Sequence, residues 1–369
     1  MNMNKVRSRM RRPQISRVVV VLLPLSVLAC IAGAMVFIGA GFDRALAIGG
    51  VLYGVATLLL SEMRTRDAPV KSIVILGIDD AAFMANVVEG LRDELIGSVP
   101  FELTILSPDA SEKAPSAWQV RQIEGGTAAA ADALVIVPAS DDSGLWNALA
   151  RQIRRGVTVV AVDRHPRRAL FLEAGLQPPP YVASDFVMGG LLAGEIIADR
   201  LATDPHCHAL VALGPGESGP GVARSSQVLY ELARRGMSGR MQAVELGSWD
   251  VAKAVTCLLA SLESLLAMPQ VRVVVFCGDD RIAVALQHEC VARDAWANRI
   301  ELVGYDGARA VDGRLVALDH RLVIATVDTQ PMAQGVVVGQ ILREAYHCEA
   351  SQETEQRLVD PVIVRQGAV

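Results

Sequence analysis

Histidine is scarce in this chain, with six among 369 residues. His165, His288, His320 and His347 read as loop or helix-surface positions, and no Ser/His/acid set has a recognisable context. Cysteine is thin as well. Cys207, Cys257, Cys277, Cys290 and Cys348 lie beyond the apolar N-terminal stretch, an odd number with neither disulfide nor zinc spacing. This leans toward a reducing compartment, although buried thiols pack as small apolar residues anywhere. Positive charge is not in excess: 35 Lys and Arg face 40 Asp and Glu, a net charge of −5 that excludes a general nucleic-acid binder. No low-complexity tract or short-period repeat is present. What is present is length and apolar content sufficient for one large or two medium globular domains.

The first seventeen residues, MNMNKVRSRMRRPQISR, carry bases and no acid. Residues 18–41, VVVVLLPLSVLACIAGAMVFIGAG, carry no charge. About 20 apolar residues span a bilayer, so this stretch reads as a membrane helix. A second apolar run, ALAIGGVLYGVATLLLS at 45–61, is of marginal length. A two-helix hairpin is the favoured reading. Bases flank both outer ends, with Arg64, Arg66 and Lys71 on the far side, and the positive-inside rule then places both ends in the cytoplasm. A single anchor would put the rest of the chain outside. Signal cleavage is the third reading, with VLAC ending at Cys30 a loose lipoprotein-like match.

From Lys71 a rhythm begins. Short β-branched runs alternate with helical patterns: SIVILGIDD, FELTILSP, ALVIVPAS, VTVVAVDR, YVASD, HALVALG, MQAVELG, VRVVVFCGDD, IELVGYDG and VIATVD. Continuous apolar runs separated by amphipathic helices predict parallel strands covered on both faces, a doubly wound α/β class. Ten runs exceed one ordinary open sheet, so two lobes of five or six strands are expected. Many runs stop on a polar residue: Asp79-Asp80, Ser140-Asp141, Asp163-Arg164, Ser184-Asp185, Asp279-Asp280, Asp306 and Asp328. In open α/β sheets ligands sit beyond the carboxyl ends of the strands, and so many polar tips predict a shared polar cleft. The competing reading of any one tip is a helix N-cap.

Chemical motifs are weak. LGPGESG places Gly214, Gly216 and Gly219 in a G-x-G-x-x-G pattern after a strand. A dinucleotide site also needs an acid at the end of the next strand, roughly 20 residues on. Glu245 comes about ten residues too late for that, so a glycine-rich turn is the better reading. The same stretch fails as a nucleophile elbow, because Pro220 stands at the second glycine position. DPHCHA offers His206, Cys207 and His208 without a third or fourth metal ligand, and reads as a surface loop. No catalytic constellation emerges, and nothing calls for a cofactor or a metal.

The order of these motifs from Lys71 onward, including the ending LVDPVIVRQ, resembles type I periplasmic sugar-binding proteins, most closely the ribose-binding type. The effector domain of LacI-type repressors shares that fold. The resemblance implies two doubly wound parallel-sheet lobes joined by a hinge: lobe 1 over 71–184 and 330–357, lobe 2 over 185–329 and 358–369. Ahead of them stand a basic segment at 1–17, an anchor at 18–61 and a linker at 62–70. The family's loop after the first strand matches DDAAFM, which puts Phe83 at its first aromatic position, Met84 at the second, and Ala81 where a sugar-binding asparagine often stands. The family's Asp-Arg pair is Asp163-Arg164. Its arginine after the glycine-rich turn is Arg224, its second-lobe aromatic is Trp249, and CGDD supplies Asp279 in place of the usual asparagine. VGYDG supplies Asp306, and Thr329 stands where a glutamine is usual, with Gln330 after it.

The implied site is therefore Phe83, Asp163, Arg164, Arg224, Trp249, Asp279, Asp306 and Thr329. Its chemistry suits a sugar. Aromatic rings can cover apolar C–H faces, carboxylates accept from hydroxyls, and guanidiniums donate. For the aromatics, ordinary core packing remains the alternative. Three carboxylates against two guanidiniums suggest an amine-bearing or otherwise modified ligand. Arg167 and Arg168 are expected in solvent. The resemblance implies a non-catalytic, membrane-anchored receptor that closes around a small-molecule sugar and signals to a transporter or signalling partner. It implies a periplasmic placement, whereas the flanking charges favour the cytoplasm. The alternatives are a membrane-tethered cytoplasmic regulator with a LacI-like effector domain and, further off, a nucleotide-dependent enzyme.

Overall fold

The structure is a computed structural model that describes residues 70–78, 81–98, 100–109, 111–216, 218–293, 295–308, 315–346 and 356–366. The basic N-terminus, the apolar runs at 18–41 and 45–61 and the linker up to residue 69 lie outside those residues, as do Asp79-Asp80, His347 and Cys348. Among the described residues no helix is long and apolar enough to cross a membrane.

Each of the ten β-branched runs forms a strand. The first sheet gathers β1 (Lys71–Leu76), β2 (Phe101–Leu106), β3 (Ala133–Ile136), β4 (Thr158–Val162) and β5 (Tyr181–Ser184). The second gathers β6 (Cys207–Leu213), β7 (Met241–Glu245), β8 (Arg272–Phe276), β9 (Ile300–Asp306) and β10 (Val323–Asp328). Two further strands come from the C-terminal LVDPVIVRQ: β11 (Gln356–Val359) joins the first sheet and β12 (Val362–Arg365) the second. The orders are β11-β5-β4-β3-β1-β2 and β12-β10-β9-β8-β6-β7. Interior strands such as β3 are buried along their whole length, whereas the edge strands β2 and β7 are half exposed. This is the burial that a parallel sheet covered on both faces imposes.

Helices fill the connections: α1 (Ala81–Leu95), α2 (Pro115–Gly125), α3 (Ser143–Arg154), α4 (Arg168–Glu173), α5 (Phe186–Thr203), α6 (Gly219–Arg234), α7 (Val251–Leu266), α8 (Asp280–Val291) and α9 (Pro331–Tyr346). Two helix pairs approach closely because glycines remove side chains from the contact. A methyl group at Gly335 of α9 would run into the Val87 carbonyl of α1, and one at Gly190 of α5 into the Arg224 carbonyl of α6.

The chain changes sheet three times. It leaves the first sheet after β5, where Asp185 caps α5 by accepting from Met188 N at 2.9 Å. It returns after β10 through Thr329 and Gln330, the latter at φ 56°. It leaves again at Asp360-Pro361. β11 pairs with β5 through Val359, so this last change falls beyond the expected boundary at 357. The all-parallel expectation also needs correction, because β12 is antiparallel to β10. β11 runs parallel to β5, toward the gap between the sheets. The chain then continues straight on and enters the second sheet travelling away from that gap, against its neighbours.

The helix contacts give a direct test. Gly335→Ala is expected to destabilise the protein by about 3 kcal/mol, the upper part of the range for overpacking a close contact. Gly125→Ala, where nothing lies within 4 Å of the added methyl, changes little. Thermal denaturation of the two variants compares them.

Candidate ligand-binding cleft

The ends of β4 and β9 make unusual turns, and those turns aim the site. After β4, Asp163 takes φ 68°, a left-handed conformation that carboxamide and carboxylate side chains tolerate better than most. It is fixed there from both sides. Its N–H donates to the Val182 carbonyl at 2.9 Å and its own carbonyl accepts from Tyr181 Oη at 3.1 Å. Asp306 at the end of β9 takes φ 93°, followed by Gly307 at φ 65°. Gly307 passes so close to Asp328 that no side chain fits.

All eight residues singled out from the sequence line one cleft of 170 Å³. Phe83 on the first turn of α1, with Asp163 and Arg164 after β4, forms the wall from the first sheet. Arg224 on α6, Trp249 before α7, Asp279 before α8 and Asp306 after β9 form the wall from the second. Thr329 lies at the crossover and donates from Oγ1 to the Asp306 carbonyl at 3.1 Å.

Arg224 organises the second wall. Its side chain is 10% exposed and its Nη1 donates both to Asp306 Oδ1 at 2.9 Å and to the Gly278 carbonyl at 2.8 Å. Its guanidinium lies 4.4 Å from the Tyr305 ring centre, 5.4 Å from Trp249 and 5.5 Å from Phe186. Burial opposes its charge, but Asp306, Tyr305, Asp163 and Asp279 outweigh that and hold its pKa above the ordinary arginine value. The influence of Asp163 comes from the opposite wall, so the two lobes are within electrostatic reach of each other.

The glycine-rich turn is explained by Trp249. A methyl group at Gly214 or Gly221 would meet the Trp249 ring, whereas Gly216 and Gly219 have open space around them. The pattern seats an aromatic wall, in keeping with the expected glycine-rich turn. Ser218 caps α6 by accepting from Gly221 N at 3.2 Å.

Not every polar strand tip belongs to the cleft. Asp141 accepts from Trp146 Nε1 at 2.8 Å and pairs with Arg167 at 2.7 Å, so Arg167 is bound at the surface instead of lying free in solvent. Asp185 is a cap. Ser184 and Asp328 are buried at the crossovers. Asp280 is 1% exposed and accepts from Thr326 Oγ1 at 2.7 Å and Ala308 N at 2.9 Å. Burial pushes its carboxyl well above the ordinary range.

Asp279 differs most from expectation. Its carboxylate accepts from Arg281 N at 2.7 Å, from Arg281 Nε at 3.1 Å to both oxygens, and from Arg281 Nη2 at 2.6 Å. Arg281 also lines the cleft, as do Asn86 and Ser218. Among the described residues that line the cleft, three guanidiniums therefore face three carboxylates, where the sequence reading counted two guanidiniums. Asn86 was legible in principle, being one helical turn beyond Phe83 on α1. Arg281 carried no signal, since an arginine in a helix's first turn usually points to solvent.

The cleft lining contains no histidine or cysteine, and among the described residues no group of three or more His, Cys, Asp and Glu could hold a metal ion. Arginines, carboxylates and two aromatics facing one another across a gap between two sheets are the equipment of a small-solute receptor. The chain belongs to the periplasmic binding protein family, whose domain matches residues 72–345. Among solved structures it resembles an ABC transporter solute-binding protein from Burkholderia multivorans, at 20% identity and TM-score 0.65, covering 80% of this chain and 100% of that one. It also resembles a periplasmic solute-binding protein from Actinobacillus succinogenes with bound D-allose, at 17% identity and TM-score 0.63, over 80% and 98% of the two chains. A Caulobacter myo-inositol binding protein matches at 19% identity and TM-score 0.60, over 80% and 93%. No curated protein matches. The match places the chain among the type I periplasmic sugar-binding proteins, which hold a solute and do not transform it, so it is not an enzyme.

Asp306 gives the cleft a pH signature. Burial raises its carboxyl from 3.8 to about 7, against the pull of Arg224 and with help from Asp279 and Asp163. Between those two values the folded protein holds a proton that the unfolded chain has lost. The contribution to stability is thus complete at the acid end and is lost as pH rises toward 7. Thermal melts of wild type and Asp306→Asn between about pH 4 and pH 7 are expected to show a shallower decline in the variant.

Proposed function

We propose that this protein is a membrane-anchored receptor that closes its lobes around a sugar or sugar-like ligand and passes the closed state to a transporter or signalling partner. The observation that carries this reading is the cleft itself, in which Asp163 and Arg164 from one sheet face Arg224, Trp249 and Asp306 from the other. A ligand that touches both walls only in the closed form stabilises that form by its differential affinity. Phe83 and Trp249 offer rings to the C–H faces of a sugar, and the charged groups offer partners to its hydroxyls. The D-allose and myo-inositol named for two similar structures support the ligand class. The anchor is assigned to residues 18–61, with spans at 18–41 and 45–61, and the linker to 62–70.

Calorimetry of the full-length protein in detergent against pentoses, hexoses, amino sugars and cyclitols is expected to find a ligand. A folded protein that binds none of them removes this reading. Asp163→Asn keeps the left-handed turn comfortable and is expected to weaken the ligand by about tenfold to a hundredfold, the value of a hydrogen bond to a charged group. Arg168→Ala at the start of α4 leaves affinity unchanged.

A second reading places the same domain in the cytoplasm as a regulator with a LacI-like effector domain. Its support is the set of bases flanking both apolar runs, together with the free thiols of Cys207, Cys257, Cys277 and Cys290. Reporter fusions after Val70 and at the C-terminus decide between the placements. Activity of a periplasm-specific reporter rejects the cytoplasmic regulator, and activity of a cytoplasm-specific one supports it.

A further inference from the structure

The two acids of CGDD part at the start of α8. Asp279 lines the cleft, whereas Asp280 turns inward and is 1% exposed. Its carboxyl is enclosed by β9 and β10. Gly304 of β9 passes so close that a methyl group there would collide with Asp280 Oδ1, and Thr326 Oγ1 of β10 donates to the same oxygen at 2.7 Å. The other oxygen accepts from Ala308 N at 2.9 Å. Ala308 ends the turn after β9, in which Asp306 and Gly307 take positive φ, and all three residues line the cleft. A left-handed aspartate persists only where its surroundings over-determine it. Three contacts do so here. Arg224 Nη1 donates to the Asp306 side chain, Thr329 Oγ1 donates to the Asp306 carbonyl, and Asp280 accepts from the N–H at the far end of the turn. Arg224 and Thr329 themselves line the cleft, but Asp280 holds the turn from behind.

We infer that Asp280 is a positioning residue for the cleft: it touches no ligand itself, and by holding Ala308 from behind it sets the turn that presents Asp306 to the sugar. This role rests on the sugar-receptor reading, because it is exercised through Asp306. Among the described residues no lysine, arginine or histidine contacts the Asp280 carboxyl. A buried carboxylate without such a partner is costly, so the group holds its proton. Burial keeps its carboxyl well above the ordinary range, opposed by the bonds from Thr326 and Ala308 and helped by Asp306 and Asp279. As an acid it can donate on one side and accept on the other, since a threonine hydroxyl serves as acceptor as well as donor. An asparagine reproduces that arrangement, with its amide N–H toward Thr326 and its oxygen toward Ala308.

Asp280→Ala and Asp280→Asn are compared with wild type as full-length proteins in detergent. The two measurements are hydrogen exchange, and calorimetry against D-ribose, D-allose, D-glucosamine, myo-inositol and the other pentoses, hexoses, amino sugars and cyclitols. In Asp280→Ala the peptide spanning β9 and the turn is expected to exchange at least about tenfold faster, while peptides from the first sheet keep their wild-type rates. Affinity for the sugar that wild type binds is expected to fall at least about tenfold, as the loss of one hydrogen bond to a charged group implies. Asp280→Asn keeps both the slow exchange and the affinity. Thermal melts establish which variants are folded. Thr326→Val removes the hydroxyl that anchors Asp280 at little change in volume, and it is expected to move both readings in the same direction, so it carries the test if Asp280→Ala does not fold. A lowered melting temperature with wild-type affinity makes Asp280 a support for the fold alone and overturns the inference. So do unchanged exchange at the turn and an Asp280→Asn variant that binds as weakly as Asp280→Ala. Each of these leaves the receptor reading intact, whereas a folded wild type that binds none of the sugars sinks both.

Discussion

Much of the second lobe is arranged around one buried cation. A guanidinium taken out of water is costly unless its hydrogen bonds and charge are matched. Arg224 is matched by the Gly278 carbonyl, by Asp306 and by the faces of Tyr305, Trp249 and Phe186. Each partner has its own requirement. Trp249 needs Gly214 and Gly221 to be without side chains. Tyr305 needs Gly189 bare for the same reason, and its ring meets Phe276 edge-on at 6.1 Å. Gly190 lets α5 settle against the backbone of Arg224 itself. Gly214 and Gly221 in the turn, with Gly189 and Gly190 on α5, thus serve one end, a charged side chain held rigid at the wall of a cleft. Rigidity matters for recognition, because a donor fixed before the ligand arrives loses less freedom on binding.

The first lobe solves the same problem by backbone geometry. A left-handed turn at Asp163, pinned by Val182 and Tyr181, brings Asp163 and Arg164 to the cleft. Such a conformation is uphill for a residue with a side chain and persists only where neighbours over-determine it. Asp306 and Gln330 are the other described non-glycine residues with positive φ. All three lie at the carboxyl end of a strand or at a crossover. Local strain is therefore concentrated where the sheets face each other, while the strands themselves are ordinary.

The architecture was largely legible in the sequence because its signal is redundant. Ten β-branched runs with helical spacers specify a parallel α/β fold several times over, and each run did form a strand. The ending LVDPVIVRQ was legible only by resemblance. Two four-residue strands joined at a proline have no period to read, and the antiparallel pairing of β12 follows from the path of the chain and not from its composition. The cleft residues were legible where a strand end fixes position, as for Asp163, Arg164, Asp279 and Asp306; Phe83, Arg224, Trp249 and Thr329 came from the family resemblance. What a carboxylate does once it is there was not legible. Asp141, Asp185 and Asp280 follow strands just as Asp163 does, yet one pairs at the surface, one caps a helix and one is buried as a structural acceptor. Asp279 reached the cleft and was neutralised by a neighbour two residues away. Sequence position gives the address of a polar group, but its free capacity depends on contacts from two residues away, as for Arg281 with Asp279, to 82 residues away, as for Arg224 with Asp306.

Thr329 joins the site to the hinge. It is 4% exposed, follows β10 directly, and donates to the carbonyl of Asp306, the residue that also accepts from Arg224. Its own carbonyl accepts from Gln334 Nε2 at 2.8 Å, and Gln334 lies on α9, which packs on α1 of the first lobe. A continuous set of hydrogen bonds therefore runs from the buried arginine of one lobe through the crossover to a helix of the other. Thr329 is the residue of this set that is both a cleft wall and a point of sheet change. A lobe that rotates about Thr329-Gln330 must move these bonds or carry them with it. Gln330 itself is held in a left-handed conformation that costs a residue with a side chain, its N–H donating to Asp328 Oδ1 at 2.8 Å.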